Sequence, residues 1–331
     1  MSKLLEVRDT HVSIHTDNGV VKAVRGVGFS LEKGETLAIV GESGSGKSIL
    51  CKAIMGLLPV GGRIDAGEVL LSGRNIANIG EKEMRKIRGE SISMIFQDPL
   101  TSLNPTMTIG KQISEMLLLH RPDMTEAERR DRALRLLEMV AIPNPVERFR
   151  QYPHQFSGGM RQRVMISIAL ACEPQILIAD EPTTALDVTI QAQILDLMKE
   201  LQQKIDTSII IITHNLGVVA NVADRVIVMY GGKFVESGML DEVFYEMRHP
   251  YTRGLMDSIP KLHASGQELR SIAGTPPDLM NPPRGCPFAA RCGQRMKVCE
   301  DHPPENTAFS ATHTAACWLC DPRAQRKGDE V

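Results

Sequence analysis

The chain has 331 residues, of which 42% are hydrophobic and 24% charged, and its formal net charge is −2. At roughly 100 to 200 residues per domain, this length predicts two domains, which we interpret as one large domain and an appendage. The near-neutral charge gives no whole-chain attraction to nucleic acid or anionic lipid, so a nucleic-acid-binding protein is not favoured. No apolar run approaches the ~20 residues that span a bilayer, so a membrane-spanning protein is not favoured either.

The first ten residues carry charges at Lys3, Glu6, Arg8 and Asp9 and contain no apolar core of secretory length. They therefore predict no signal peptide, and we expect a cytoplasmic protein. Any contact with a membrane would then be made by docking onto another protein.

Strand patterns lie in four parts of the chain. Residues 1–35 alternate apolar and polar positions with interspersed glycines, which predicts short antiparallel strands. Residues 36–40 form an apolar, β-branched run typical of a strand buried on both faces of a sheet, and residues 175–179 and 208–212 repeat that pattern.

Helical patterns supply the cover that such strands need. Residues 48–58 and 161–171 form apolar helical stretches, and residues 188–204 have the mixed face of a half-exposed helix. The sequence therefore predicts an α/β fold with a mostly parallel sheet at its core, preceded by antiparallel strands.

Residues 96–156 form an insertion without strand signals, which lies between the strand patterns at residues 36–40 and 175–179. Thr125 and Glu128 have the spacing of a capping box, which precedes an amphipathic stretch that ends near Val140. We interpret residues 98–165, approximately, as a helical subdomain.

The end of the chain changes character after about residue 260. Segments rich in proline and glycine at 274–277 and 281–285 act as breakers before a cysteine-rich tail, which we expect to be loop-like. We therefore divide the chain into a domain of residues 1–260 and an extension of residues 261–331.

The first chemical motif is Gly-Glu-Ser-Gly-Ser-Gly-Lys-Ser at residues 41–48, which matches G-x-x-x-x-G-K-[ST] between a buried strand and a helix. Glycines allow backbone N–H groups to converge on phosphate oxygens, Lys47 reaches the β and γ phosphates, and Ser48 offers a hydroxyl to Mg²⁺. We predict a nucleotide site at Gly41, Ser43, Gly44, Ser45, Gly46, Lys47 and Ser48.

The second motif is the acidic pair Asp180 and Glu181, which ends a hydrophobic strand. An isolated pair of this kind is most often a strand end at the surface. Downstream of a phosphate-binding loop, it is the arrangement expected of one acid that helps to hold Mg²⁺ and a second that acts as general base for water.

The third motif identifies a family. The sequence Phe-Ser-Gly-Gly-Met at residues 156–160 resembles the ABC signature, and the chain is identified as a member of the ABC ATPase family. That resemblance predicts the α/β fold of a P-loop ABC ATPase, with a RecA-like core of mostly parallel sheet, an antiparallel β subdomain and a helical subdomain. The resemblance implies that ATP lies between two subunits joined head to tail, with the signature of one bound to the γ-phosphate on the other. It implies this action in trans for Ser157, Gly158, Gly159 and Met160, the last of which replaces a glutamine common in the family.

The same resemblance implies further site residues. Gln97 is similar to the Q-loop glutamine that contacts Mg²⁺ or water, and Asp187 to the D-loop aspartate that communicates across the dimer. His214 resembles the switch histidine at the γ-phosphate, although Asn215 replaces the usual aspartate after it. His15 falls about where the family places an aromatic residue that stacks on adenine.

One branch of the family is especially similar. Residues 152–160, 180–193 and 248–252 resemble the ATPase subunits of di- and oligopeptide importers, relatives of which carry nickel or glutathione. This implies two membrane permeases, an external solute-binding protein, and a second ATPase subunit, either a paralogue or a second copy, on the cytoplasmic face of the inner membrane. The alternatives are nickel or glutathione import, a soluble ABC ATPase acting on ribosomes or DNA, a redox or regulatory protein, and a scaffold without catalysis.

The tail contains five cysteines, spaced C-x5-C-x6-C-x17-C-x2-C, whereas Cys51 and Cys172 lie in apolar helical contexts typical of a core. In a cytoplasmic chain we expect a metal site and no disulfides, and the zinc-ribbon spacing of the last pair leaves zinc open. The resemblance to peptide importers implies a [4Fe–4S] cluster, with Cys320 spare, on Cys286, Cys292, Cys299 and Cys317.

Overall fold

A computed structural model describes residues 3–183, 187–258 and 272–322. The strands are β1 (Lys3–Thr16), β2 (Gly19–Glu32), β3 (Thr36–Val40), β4 (Gly62–Leu71), β5 (Arg74–Asn75), β6 (Ile92–Ile95), β7 (Ile176–Asp180), β8 (Ser208–Thr213), β9 (Arg225–Tyr230), β10 (Lys233–Met239), β11 (Asn306–Ala308) and β12 (Thr314–Ala316). The helices are α1 (Lys47–Ile54), α2 (Glu81–Ile87), α3 (Pro99–Ser102), α4 (Ile109–His120), α5 (Glu126–Met139), α6 (Pro145–Arg148), α7 (Gly158–Ala169), α8 (Val188–Ile205), α9 (Leu216–Val219), α10 (Leu240–Tyr245), α11 (Pro250–Asp257) and α12 (Val298–Asp301). Short 3-10 turns lie at Pro153–Gln155, Ala289–Arg291 and Trp318–Cys320.

The chain divides into two compact units. The first contains Ile79–Ile212 and Leu31–Thr36, and the second contains Leu5–Ser30, Leu37–Asn78 and the chain from Thr213 onward. The second unit therefore combines parts of both predicted domains, and the predicted boundary at residue 260 lies outside the described residues.

The first unit has a parallel sheet at its centre. Strand β7 pairs with β6 through Ile176 and Ile92, and with β8 through Ile176 and Ser208. Every residue of β6 and β7 is buried, as is every residue of β8. The prediction of doubly covered strands at 175–179 and 208–212 is confirmed, because uniformly apolar strands need both faces covered.

Helices fill the rest of the first unit. Residues 96–156 contain α3 to α6 and no strand, as predicted, and α4, α5 and α7 pack against one another. Helix α5 begins with the predicted capping box, in which Glu128 N donates to Thr125 Oγ1 at 3.3 Å and Thr125 N donates to the Glu128 carboxylate at 2.7 Å. The two exchanged bonds satisfy N–H groups that have no partner within the helix.

A four-stranded sheet in the second unit has the order β2-β1-β4-β5, with β4 antiparallel to β1. The prediction of short strands is wrong, because β1 and β2 each run for 14 residues. Gly26 lies inside β2, where a Cβ atom would come within 2.9 Å of Asp9 Oδ1. Glycine here marks a close approach between strands rather than a turn.

The second unit also contains the strand order β11-β12-β10-β9-β3, in which β3 and β9 are parallel and the other pairs antiparallel. The expectation of a loop-like tail is therefore wrong in part, because β11 and β12 form a hairpin on β10. The tail also contributes to the core: the ring of Phe288 lies 5.2 Å from that of Tyr230 and 5.3 Å from that of Tyr251.

No helix in the described part of the chain combines the length and the apolar character needed to cross a membrane.

Candidate functional site

The predicted phosphate-binding loop, residues 41–48, follows β3. Its Lys47 is the first residue of α1. The Lys47 ammonium is folded into the loop, with Nζ donating to Gly41 O at 2.7 Å, to Glu42 O at 2.9 Å and to Ser45 Oγ at 3.3 Å. Only 4% of Lys47 is exposed. The loop thus holds a cation among carbonyl groups at the point where the sequence predicts phosphates.

Two positions in this loop, Gly41 and Gly46, leave no room for a side chain. Gly41 and Gly46 have φ values of +153° and +106°, which L residues rarely adopt. A Cβ atom would lie 2.1 Å from Met229 O at Gly41 and 2.3 Å from Ala23 O at Gly46. At both positions the backbone therefore passes too close to a neighbouring carbonyl group for any residue larger than glycine.

The start of α1 has the electrostatics of an anion site. Its N-cap residue is Gly46, which provides no side-chain cap, and its first turn contains no acidic residue. The first N–H groups of a helix have no partner within it, and they attract anions. Phosphate oxygens can supply the missing acceptors.

The predicted acids lie at the end of β7 in the first unit, and both are largely buried. Glu181 N donates to Ile212 O at 2.9 Å, and Glu181 then leaves the strand with a φ of 47°. Gln97 Nε2 donates to Glu181 Oε2 at 2.9 Å. The fold therefore brings the predicted Q-loop glutamine and general base into contact, together with Asp180.

The predicted signature forms the start of α7. Ser157 is the N-cap, and its Oγ accepts from Met160 N at 3.4 Å. Ser157 and Gly158 are exposed, and the first turn contains no acidic residue. A Cβ atom on Gly159 would lie 2.9 Å from Ile190 Cγ2 in α8, so a small residue is needed for the packing of these helices.

The remaining predicted residues lie at the ends of elements. Asp187 caps α8 by accepting from Ile190 N at 2.9 Å, while residues 184–186 lie outside the described residues. His214 is exposed after β8, and Asn215 caps α9 by accepting from Gly217 N at 2.9 Å. His15 is exposed near the end of β1, and its backbone N donates to Gly61 O at 2.9 Å.

The five tail cysteines lie in the second unit as free thiols, and Cys51 and Cys172 are buried as predicted. Cys286 N donates to Cys299 O at 2.8 Å. Burial, together with the neighbouring thiols at Cys299, Cys317 and Cys292, raises the pKa of Cys286 to about 12. The four predicted ligands therefore share one neighbourhood.

The arrangement of these thiols is not that of a preformed ion site. Within residues 3–183, 187–258 and 272–322, no group of three or more His, Cys, Asp or Glu side chains is disposed to hold a metal ion. The Cys317 and Cys320 thiols share a hydrogen bond that raises the pKa of Cys317 and lowers that of Cys320.

Three residues near the loop were missed by the sequence analysis as parts of the site. Glu42 N donates to Tyr251 Oη at 2.8 Å, and the Glu42 carboxylate pairs with the Arg291 guanidinium at 2.6 and 3.1 Å. The sequence offered only indirect signals: Tyr251 lies in a segment that resembles peptide importers, and Arg291 precedes Cys292.

Comparisons with known proteins agree with these motifs. The profile of the ABC transporter family matches residues 24–184, and that of the oligopeptide/dipeptide transporter C-terminal region matches residues 235–299. The chain is 58% identical to the dipeptide transport ATP-binding protein DppD of Bacillus subtilis, over 98% of this chain and 97% of the relative.

It is also 58% identical to the oligopeptide transport ATP-binding protein OppD of the same organism, over 98% of this chain and 91% of the relative. Among solved structures, the dimeric post-hydrolysis state of the ATP-binding cassette MJ0796, bound to ADP and Pi, matches with a TM-score of 0.64 and 30% identity. That match covers 71% of this chain and 98% of the cassette.

Proposed function

This chain belongs to the ABC transporter family as an ATP-binding subunit, and from that premise we propose that it hydrolyses ATP to drive the import of dipeptides or oligopeptides. The observation that carries the proposal is the glycine loop with Lys47 folded into it, because this is a ready-made site for the phosphates of ATP. The similarity of the C-terminal region to peptide transporters supports the choice of solute.

ATP binding begins at the loop. The Lys47 ammonium exchanges the Gly41 and Glu42 carbonyl groups for the β and γ phosphates, and the N–H groups at the start of α1 bind the remaining oxygens. Ser48 would offer its hydroxyl to Mg²⁺ and Asp180 would help to hold the ion, which would neutralise charge on the phosphates when bound.

Hydrolysis uses the acid at the end of β7. Glu181 takes a proton from the attacking water, and the amide of Gln97, 2.9 Å from the carboxylate, keeps Glu181 in position. His214 holds the γ-phosphate. The exposed start of α7 binds the γ-phosphate of the ATP that is held by a second ATPase subunit. ATP therefore shifts the population toward a closed dimer, and hydrolysis reopens the dimer.

The partners follow from this function. A second ATPase subunit completes the dimer, two permeases form the membrane path, and an external binding protein delivers the peptide. The chain then lies at the cytoplasmic face of the inner membrane, held there by the permeases.

Purification of a tagged form from gently solubilised membranes tests the proposal. We expect two polytopic membrane proteins and an ATPase subunit to accompany the chain, and uptake by the complex to be competed by unlabelled peptides. If nickel or glutathione competed instead, that compound and not a peptide would be the transported solute. If the chain were recovered only with ribosomes or DNA, the proposed transport function would be overturned.

We also propose that Cys286, Cys292, Cys299 and Cys317 hold a [4Fe–4S] cluster. The donor set has suitable chemistry, since four free thiols are the ligands that such a cluster takes, and iron would favour the thiolate form that burial disfavours. A bound cluster would supply iron–thiolate bonds that cross-link the extension.

Anaerobic purification tests the cluster. We expect a brown protein with iron and a charge-transfer band near roughly 400 nm. Cys317→Ser should lose the band, and the matched variant Cys320→Ser should keep it. A colourless sample without iron contradicts the proposed cluster. If that sample contained zinc, the cysteines would be assigned as a zinc site.

A further inference from the structure

The phosphate-binding loop contains an acid. Glu42 is the second residue of the loop, and its own carbonyl accepts a hydrogen bond from Lys47 Nζ at 2.9 Å. Its side chain is 26% exposed. An uncompensated carboxylate at this position would repel the phosphates that the loop binds, because like charges a few ångströms apart interact strongly beside a protein surface.

Arg291 neutralises this acid. Its Nη1 lies 2.6 Å from Glu42 Oε2 and its Nη2 lies 3.1 Å from Glu42 Oε1, a two-pronged pairing that fixes both groups. Only 6% of the Arg291 side chain is exposed, which distinguishes the pair from a solvent-screened surface salt bridge. The bond to Glu42 also raises the pKa of Arg291 above its usual value.

The guanidinium is held in place by the C-terminal extension and by β9. Arg291 donates to Ile272 O and to Ala273 O, both at 2.9 Å, and to Tyr230 Oη at 3.2 Å. It ends the 3-10 turn Ala289–Arg291, directly after Phe288. Since the Phe288 ring packs on Tyr230, the extension cannot shift without moving the cation that faces the loop.

Glu42 is therefore fixed from three directions. Arg291 holds its carboxylate, Tyr251 Oη accepts from its backbone N at 2.8 Å, and Lys47 donates to its carbonyl. Because the Glu42 carbonyl is one of the acceptors of the Lys47 ammonium, the position of Glu42 affects where that ammonium rests before phosphate arrives.

We propose that Arg291 is a positioning residue for nucleotide binding, which cancels the charge of Glu42 and thereby makes the affinity of the loop for nucleoside triphosphates depend on the C-terminal extension. This inference rests on the proposed binding of ATP by the same loop. Arg291 acts through Glu42, whose carboxylate it pairs with.

Titration of the full-length purified chain with MgATP and with MgADP tests the inference at low and at physiological salt. Arg291→Gln should weaken MgATP binding about tenfold, on the scale of one uncompensated charge near the phosphates. The loss should be smaller for MgADP, which carries less charge, and smaller at higher salt. Arg291→Lys keeps the positive charge but cannot form the two-pronged pairing, so its affinity for MgATP should lie between those of wild type and Arg291→Gln.

The decisive comparison is rescue by Glu42→Gln. If Arg291 acts by neutralising Glu42, the double variant Arg291→Gln with Glu42→Gln should bind MgATP within about threefold of wild type. If Arg291 only holds the carbonyls of Ile272 and Ala273, removing the Glu42 charge restores nothing. Absence of rescue, or equal losses for MgATP and MgADP, overturns the inference.

Two controls distinguish a failure of the inference from a failure of folding or of ATP binding. Glu42→Gln alone keeps Arg291 in place, so it tests the inference even if Arg291→Gln does not fold: it should bind MgATP at least as tightly as wild type, and weaker binding contradicts the inference. Lys47→Ala should abolish binding. A wild-type chain that binds no MgATP would overturn the proposed function, whereas wild-type binding without rescue overturns only the inference.

Discussion

Glu181 has an unusual backbone for a residue with a long side chain. Its φ of 47° lies in the left-handed region, which costs an L residue on the order of 1 kcal/mol. The bond from Glu181 N to Ile212 O continues the strand pairing, and the turn that follows presents the carboxylate to Gln97. The chain thus has a strained residue at the position where the proposed mechanism uses a carboxylate.

We expect Glu181→Gln to lower ATP turnover by about a hundredfold or more, because the amide cannot accept the proton of water. ATP binding should persist, since Lys47 and the glycine loop are unchanged, and a closed dimer should accumulate. Phosphate release and MgATP titration on the same preparation measure the two effects. Unchanged turnover would remove Glu181 as the base.

His249 gives a pH dependence to stability. It is 1% exposed, its Nδ1 accepts from Tyr251 N at 3.0 Å, and its Nε2 has no hydrogen-bond partner in the described part of the chain. Burial lowers the pKa of His249 from 6.5 to about 3. The folded state therefore keeps the imidazole neutral at pH values where the unfolded chain binds a proton.

The stabilisation is complete above pH 6.5 and is lost as the pH falls toward 3, with a slope of at most about 1.4 kcal/mol per pH unit. His249→Asn retains an acceptor for Tyr251 N but does not titrate. We expect urea denaturation between pH 7.5 and 5 to show a shallower pH dependence for this variant. An identical pH dependence in both proteins would contradict the prediction.

Most of the candidate site residues could be proposed from the sequence because their motifs are local. The loop at 41–48 and the Asp180–Glu181 pair each follow one buried strand, so a short pattern defines them. The pair of Arg291 with Glu42 could not be predicted, because 249 positions separate the two residues and neither forms part of a local pattern with the other.

Among the secondary-structure elements, α5 shows how local chemistry defines a boundary. Thr125→Ala removes the acceptor for Glu128 N and should lower the free energy of unfolding by about 1 kcal/mol. Thr125→Ser, which keeps the hydroxyl, is the matched control. Urea denaturation of both variants measures the difference, and equal midpoints would show that the cap contributes nothing.

Elements with strong local patterns could be predicted, and those that depend on distant partners could not. The strands β3, β7 and β8 are buried at every residue and consist mainly of apolar residues. The three-residue strands β11 and β12 carry no such signal, since their pairing depends on β10, for example Ala315 opposite Glu236. The lengths of β1 and β2 were underestimated because glycines inside strands look like turns.

At the scale of the whole molecule, the C-terminal extension belongs to the same compact unit as the phosphate-binding loop. Its Phe288 packs with Tyr230 and Tyr251, and its Arg291 pairs with Glu42. The extension is therefore part of the structure that shapes the nucleotide site, although the sequence alone suggested an appendage.

The most direct test of the central claim is ATP-driven uptake of a radiolabelled tripeptide by the purified complex, reconstituted in proteoliposomes with its binding protein on the receiving side. We predict accumulation of peptide that requires MgATP on the side of this chain and that stops with Glu181→Gln in this subunit. Uptake that proceeds equally with the variant, or ATP hydrolysis that never moves peptide, would contradict the account.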